Sequence, residues 1–274
     1  MNLIFPGTGG LGTLRNFQAC MVIQDRDINM LIDCGTDAKR SLDNVGLNAR
    51  DVDTVYLTHQ HSDHIGGLEW LGFATYFDKI AKRPIVVAED QLMDQIRASL
   101  VGMDCVGGKD TEFTDFFYPL KFNVWEDDPC FVLDDALFEV KIMKHIIGMK
   151  RITATYGIMF EDVDVTEILG RRSKIFYTGD ACVLEDFSSY ENAGLIIHDC
   201  ETSDFHSGVH AHYAELRELP IELKSKMLLT HYGDNVLGNM EWWNDRAHMD
   251  GFKRVGDNYG FIPQGHVLTL KERL

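Results

Sequence analysis

Thr58-His59-Gln60-His61-Ser62-Asp63-His64 sets three histidines and an aspartate within six residues. The stretch follows the β-branched and apolar Thr54-Val55-Tyr56-Leu57 and precedes Ile65-Gly66-Gly67-Leu68. It therefore lies where a strand gives way to a helix. Imidazole and carboxylate are ligands for zinc and its first-row neighbours. Residues two apart on extended backbone point the same way, so His59 and His61 can aim both rings at one position. Asp63 and His64 begin the next helix and face a second position. One short loop can thus feed two adjacent metals.

Outward from this loop, the upstream Leu31-Ile32-Asp33-Cys34-Gly35 reads as a strand and turn. Leu3–Pro6 runs as a short strand into Gly7-Thr8-Gly9-Gly10. Ala19–Ile23 and Asn29–Ile32 are strands around a polar turn. Helices are predicted over Asp37–Val45, Gly66–Ala81, Gln91–Leu100 and Ala211–Leu219, the last stopped by Pro220. Strands dominate from Phe122 to Phe160 and recur at Lys174–Thr178, Leu195–Ile197 and Lys226–Thr230. Gly102–Tyr118 is rich in Gly, Asp and Phe and carries no regular period, as a lid or an insertion would. Strand hairpins with interspersed helices in two similar halves predict an α/β chain of sheets packed together with helices outside.

The chain has 274 residues, enough for a substantial core without staples. Its 43 acidic and 26 basic residues give a net charge of −17. That excludes a uniformly basic nucleic-acid surface and opposes docking on anionic membrane. The six cysteines form no CxxC pair and read as free thiols in a reducing compartment. The first ten residues lack a signal-peptide pattern. No run of about 18 apolar residues exists to span a membrane. A cytoplasmic location is the expectation.

The HxHxDH loop after a strand, with the LIDCG element before it and Ile65-Gly66-Gly67 after it, resembles the metallo-β-lactamase fold over nearly the whole chain. The resemblance implies one αββα sandwich domain, residues 1–274, with a dinuclear metal site at one edge of its sheets. It also implies the remaining ligands. His145 matches the mid-chain histidine. Asp180, in Thr178-Gly179-Asp180, matches the bridging aspartate. His231, in Leu229-Thr230-His231, matches the late histidine. The expected first set is His59, His61, His145 and Asp180, and the second is Asp63, His64, Asp180 and His231. Zinc is the expected metal at both, with manganese as the alternative. Flavin-partnered diiron members carry glutamate at the position of His61, and B1 and B2 β-lactamases carry cysteine at that of Asp180. Neither pattern holds here.

The C-terminal half is similar to the ribonuclease Z and phosphodiesterase branch, in His198-Asp199-Cys200-Glu201, His210-Ala211-His212 and Leu229-Thr230-His231. That branch places a leaving-group acid in its HxT element, which implies His210 or His212, and His198 is expected to orient a ligand from behind. Asp63 would bind one metal and orient the attacking water. Two metals about 3.5–4 Å apart suit in-line displacement at phosphorus. A long basic arm of the kind that grips tRNA is not evident, and the net charge opposes an RNA body. The expectation is therefore a phosphodiesterase acting on a small nucleotide. The branch includes cyclic-nucleotide phosphodiesterases, some phage-encoded, that destroy immune signals. A tRNA 3′-processing endonuclease and a lactone or thioester hydrolase are the alternatives. A homodimer is expected, with the aromatic Gly102–Tyr118 stretch near the interface or the site mouth.

Overall fold

A computed structural model describes residues 1–133, 135–147, 152–161 and 174–270. Its strands in chain order are β1 (Asn2–Gly7), β2 (Cys20–Asp25), β3 (Ile28–Ile32), β4 (Thr54–Tyr56), β5 (Ile85–Glu89), β6 (Cys105–Val106), β7 (Lys109–Asp110), β8 (Tyr118–Phe122) and β9 (Cys130–Leu133). After these come β10 (Ala136–Ile147), β11 (Ile152–Glu161), β12 (Lys174–Tyr177), β13 (Ala193–Asp199), β14 (Met227–Thr230), β15 (Arg254–Val255), β16 (Asn258–Tyr259) and β17 (His266–Thr269). The first sheet runs β17-β1-β2-β3-β4-β5-β8 and the second β14-β13-β12-β11-β10-β9. In the first, β3, β4, β5 and β8 are parallel. In the second, β12, β13 and β14 are parallel.

Alternation of side chains along the strands builds the layers. Leu3 and Phe5 of β1, Met21 and Ile23 of β2 and Tyr56 of β4 enter one core with Phe138, Ile158, Tyr177, Ile197 and Leu228 of the second sheet. The two sheets thus face each other. The alternate residues Ile4, Cys20, Val22 and Val55 pack outward, against Leu42, Leu68, Leu71, Met93 and Ile96 of the helices on that side. The second sheet turns Phe176, Ile196 and Leu229 outward against Tyr190, Leu216 and Leu223. The result is the expected helix–sheet–sheet–helix sandwich.

Several boundaries differ from expectation. The helix predicted over Gly66–Ala81 shortens to Leu68–Tyr76, and a separate short helix, Ser62–Ile65, precedes it. Gly66-Gly67 separates them because a Cβ on Gly67 would stand 2.3 Å from the Gly35 carbonyl oxygen, an approach only glycine permits. Ala211–Leu219 shortens to Tyr213–Leu216, and Pro220 opens a further helix, Ile221–Lys224. Gly102–Tyr118 contains the β6–β7 ribbon and the helix Phe113–Phe116. Phe116 and Phe117 are buried beside Leu71 and Ile96. Two of the aromatics read from sequence as a candidate contact surface are therefore core. Residues 148–151 of the stretch predicted as strands lie outside the described residues.

Candidate metal centre

Parallel strands of both sheets end at one edge, and the site is assembled from the residues at and just beyond those ends. Asp33 succeeds β3, Thr58 and His59 lie past β4, Asp180 past β12, Asp199 closes β13 and His231 succeeds β14. Carboxyl ends of parallel strands are where α/β sheets gather their ligands. His145 reaches the same place by another device. The β10–β11 register breaks between Lys144 and Ile146, so His145 is the extra residue of a bulge, and a bulge re-aims a side chain.

The structure brings the seven expected ligands into two groups that share Asp180, His59–His61–His145–Asp180 and Asp63–His64–Asp180–His231, with the donor atoms of each within 4.8 Å of one another. In the second, Asp63 Oδ2 lies 3.4 Å from His64 Nε2 and from His231 Nε2, and Asp180 Oδ2 lies 3.3 Å from both nitrogens. Donors held 2.0–2.1 Å from a tetrahedral centre stand about 3.3–3.4 Å apart. In the first group His61 Nδ1 is 2.8 Å from His59 Nε2 and 3.3 Å from His145 Nε2. The same Asp180 Oδ2 is 3.8 Å from His59 Nε2 and 4.0 Å from His145 Nε2, the position of a bridging oxygen.

Three of the rings are fixed from behind. His59 Nδ1 lies 3.0 Å from Thr58 Oγ1, and that hydroxyl donates to Asp33, so Nδ1–H is the donor. His64 Nδ1–H donates to Asp33 Oδ2 at 2.7 Å, and His145 Nδ1–H to the Val209 carbonyl at 2.8 Å. These bonds set the tautomer and leave Nε2 as a lone pair directed inward. Burial holds the pKa values of His59, His61 and His145 below the ordinary histidine value, the neutral state that a ligand needs. Burial also opposes charge on His64 and His231. There, the carboxylates of Asp180 with Asp33, and of Asp180 with Asp199, outweigh it and raise both pKa values.

Two observations fit divalent metal to this donor set. Asp63 Oδ1 and His64 Nε2 are buried without a hydrogen-bond partner, a loss of about 1–3 kcal/mol for each such atom. Asp63 and Asp180 are also both held well below the usual carboxylate range. Burial opposes that state, and the surrounding histidines impose it.

The histidines of the His210-Ala211-His212 element separate. His210 Nδ1–H donates to Asp199 Oδ2 at 2.7 Å, and its ring lies 4.9 Å from that of His231 and 5.0 Å from that of His145. Asp199 raises its pKa against the opposing effect of burial. His212 faces elsewhere. It caps the helix Tyr213–Leu216, accepting from the Ala214 amide on Nδ1 and donating from Nε2 to the Ser203 carbonyl. Both nitrogens are committed, so His212 is corrected from candidate acid to helix cap. His198 stands one layer further back. It bonds Tyr190 and the Asp199 carbonyl, and the side chain that orients site histidines is Asp199.

The sequence pattern assigns no role to Asp33 or Asp199. Both are fully buried, and both stand within recognised elements, LIDCG and His198-Asp199-Cys200. Asp33 and His231 also share a left-handed backbone, with φ of 62° and 61°. For residues with a Cβ this conformation is costly and collects at functional sites.

Fold and site define a protein of the metallo-β-lactamase fold with histidine–aspartate groups placed to hold divalent metal. The family model described as "Anti-Pycsar protein Apyc1" matches residues 1–256, and the chain belongs to that family. It is 27% identical over 274 residues to the Anti-Pycsar protein Apyc1 of Paenibacillus sp. (strain J14), covering 98% of this chain and 99% of that one. It is 28% identical over 250 residues to the protein of the same name from Bacillus phage vB_BsuM-Goe3, covering 85% and 90%. Among solved structures, the metallo-β-lactamase fold protein YhfI from Bacillus subtilis superposes with a TM-score of 0.68 at 19% identity, over 97% of this chain and 98% of that one.

Proposed function

We propose that this chain hydrolyses the phosphodiester of a small cyclic nucleotide, the class of signal that the name of its relatives points to. The observation that carries the reading is the pair of donor sets sharing Asp180 Oδ2, with His210 beside them on Asp199. Residues 1–274 are read as one domain, the protein as a cytoplasmic homodimer, and zinc as the metal of both sets, with manganese as the alternative. Metal in the two sets supplies a polarised phosphoryl group and a water acidic enough to attack near neutral pH.

The chain's residues do the rest. Asp180 fixes the spacing of the two sets. Asp63 turns Oδ1, the oxygen without a partner, toward an attacking water and orients it in line with the scissile bond. The water oxygen forms the new P–O bond while the bond to the leaving alkoxide breaks. His210 holds a proton on Nε2 and passes it to that alkoxide. Asp199, on the far nitrogen, stabilises the charged ring before transfer. In a cyclic substrate the leaving oxygen stays on the product, so one ring opening yields a linear nucleoside monophosphate.

The test is metal-loaded protein against a cyclic mononucleotide, bis(p-nitrophenyl) phosphate, a pre-tRNA and a lactone. Turnover is expected on the first two. Cleavage of pre-tRNA or lactone with no phosphodiester turnover on the small substrates would overturn the reading.

A further inference from the structure

His198 is fully buried in β13, and its polar atoms do not face the metal donors. Nδ1–H donates to the Asp199 carbonyl at 2.7 Å. Nε2 accepts from the Tyr190 hydroxyl at 2.6 Å, and that hydroxyl accepts in turn from the Leu184 amide at 3.1 Å. A phenol and an imidazole in this place bury polar groups that an apolar pair would spare. What the arrangement delivers is the placement of Asp199. Its amide donates to Thr178 Oγ1, and its carbonyl is held by His198. Its carboxylate accepts from the Ala181 amide and from His210 Nδ1, and lies 3.2 Å from His231 Nδ1. The Leu184 amide belongs to the loop that leaves the bridging Asp180. Tyr190 therefore ties that loop to the strand carrying Asp199.

We propose that Tyr190 is a positioning residue for the reaction, acting through His198 to aim the Asp199 carboxylate that holds His210. The proposal rests on the reading of His210 as leaving-group acid. A carboxylate tilted by a few tenths of an ångström still accepts from His210, but the ring no longer meets the departing oxygen in line, and alignment is where positioned proton transfer gains its rate.

Y190F keeps the ring and removes the hydroxyl. The expected result is both metals retained, KM for a cyclic mononucleotide within about twofold, and kcat on it lowered roughly 3–30-fold, a share of the general-acid factor. Hydrolysis of bis(p-nitrophenyl) phosphate, whose leaving group needs little protonation, should stay within about twofold. An equal loss on both substrates, or no loss on either, overturns the proposal. H210A in the same assay separates the two layers. If H210A discriminates between the substrates and Y190F does not, Tyr190 has no such role and the acid reading stands. If H210A slows both substrates equally, the acid reading fails and the proposal falls with it. Should Y190F not fold, H198N carries the test, because an asparagine nitrogen can still donate to the Asp199 carbonyl while its shorter side chain puts no acceptor at the Nε2 position that Tyr190 meets. The same discrimination is expected of it, and its absence overturns the proposal.

Discussion

On the proposed reading His61 holds metal and His210 moves a proton, and substitution separates the two roles. Loss of a ligand loses metal, so His61→Ala should lower both bound metal and turnover. Elemental analysis of the purified variant reads the first and a phosphodiester assay the second. His210 lies outside the seven ligands. His210→Ala should keep both metals yet slow a cyclic mononucleotide by roughly 10²–10⁴-fold, while a p-nitrophenolate leaving group suffers far less. Equal slowing of the two would make His210 a phosphate-positioning group. At this scale the sequence is most legible where identity alone carries the chemistry, as in the HxHxDH run. It is least legible where chemistry depends on what stands behind a side chain. His210 and His212 are the same residue two positions apart, and nothing in their spacing says that Asp199 waits for one and Ser203 for the other. Asp33 and Asp199 look like ordinary strand-end acids until the fold brings imidazoles against them.

Elements place these residues through close backbone approach. A Cβ on Gly35 would stand 2.0 Å from the Asp63 carbonyl oxygen. The turn after β3 therefore presses directly on the helix that presents Asp63 and His64. Gly35→Ala must push that helix outward, at a cost of about 1–3 kcal/mol as in other overpacked sites. The expected outcome is a lower Tm together with weaker binding of one metal of the two. A calorimetric scan and a metal titration check it, and a lower Tm with both sites unchanged would confine the strain to the turn. The layers are within reach of hydrophobic alternation, because Leu3, Met21 and Tyr56 repeat on one face and Ile4, Val22 and Val55 on the other, whereas the order of the strands is not. Nor is the β10 bulge. A one-residue slip leaves no mark on the apolar pattern, yet it is what turns His145 toward the site.

For the whole molecule, the metal centre lies at the edge where the two sheets meet, with the HxHxDH loop from one and His145, Asp180 and His231 from the other. Ligation that binds only the folded state adds stability, about 4 kcal/mol per site at a thousandfold excess over Kd. Removal of metal by a chelator should therefore lower Tm markedly while far-UV circular dichroism stays unchanged, because three separate apolar clusters hold the layers without it. An unchanged Tm would mean that the donors bind metal weakly. Association is the other property of this scale. Light scattering at micromolar concentration should give twice 31.2 kDa, and a monomer mass would refute the dimer. Its interface must come from residues other than Phe116 and Phe117, which the core has already taken.

Asp180 also sets an order of events during synthesis. His59, His61, Asp63 and His64 leave the ribosome before Asp180, the residue that the two donor sets share, and His231 follows later still. Domains tend to form from the N-terminal side as the chain emerges, but here the first sheet takes its edge strand β17 from beyond His231. Both donor sets are therefore complete in sequence before the sandwich that spaces them is complete in structure.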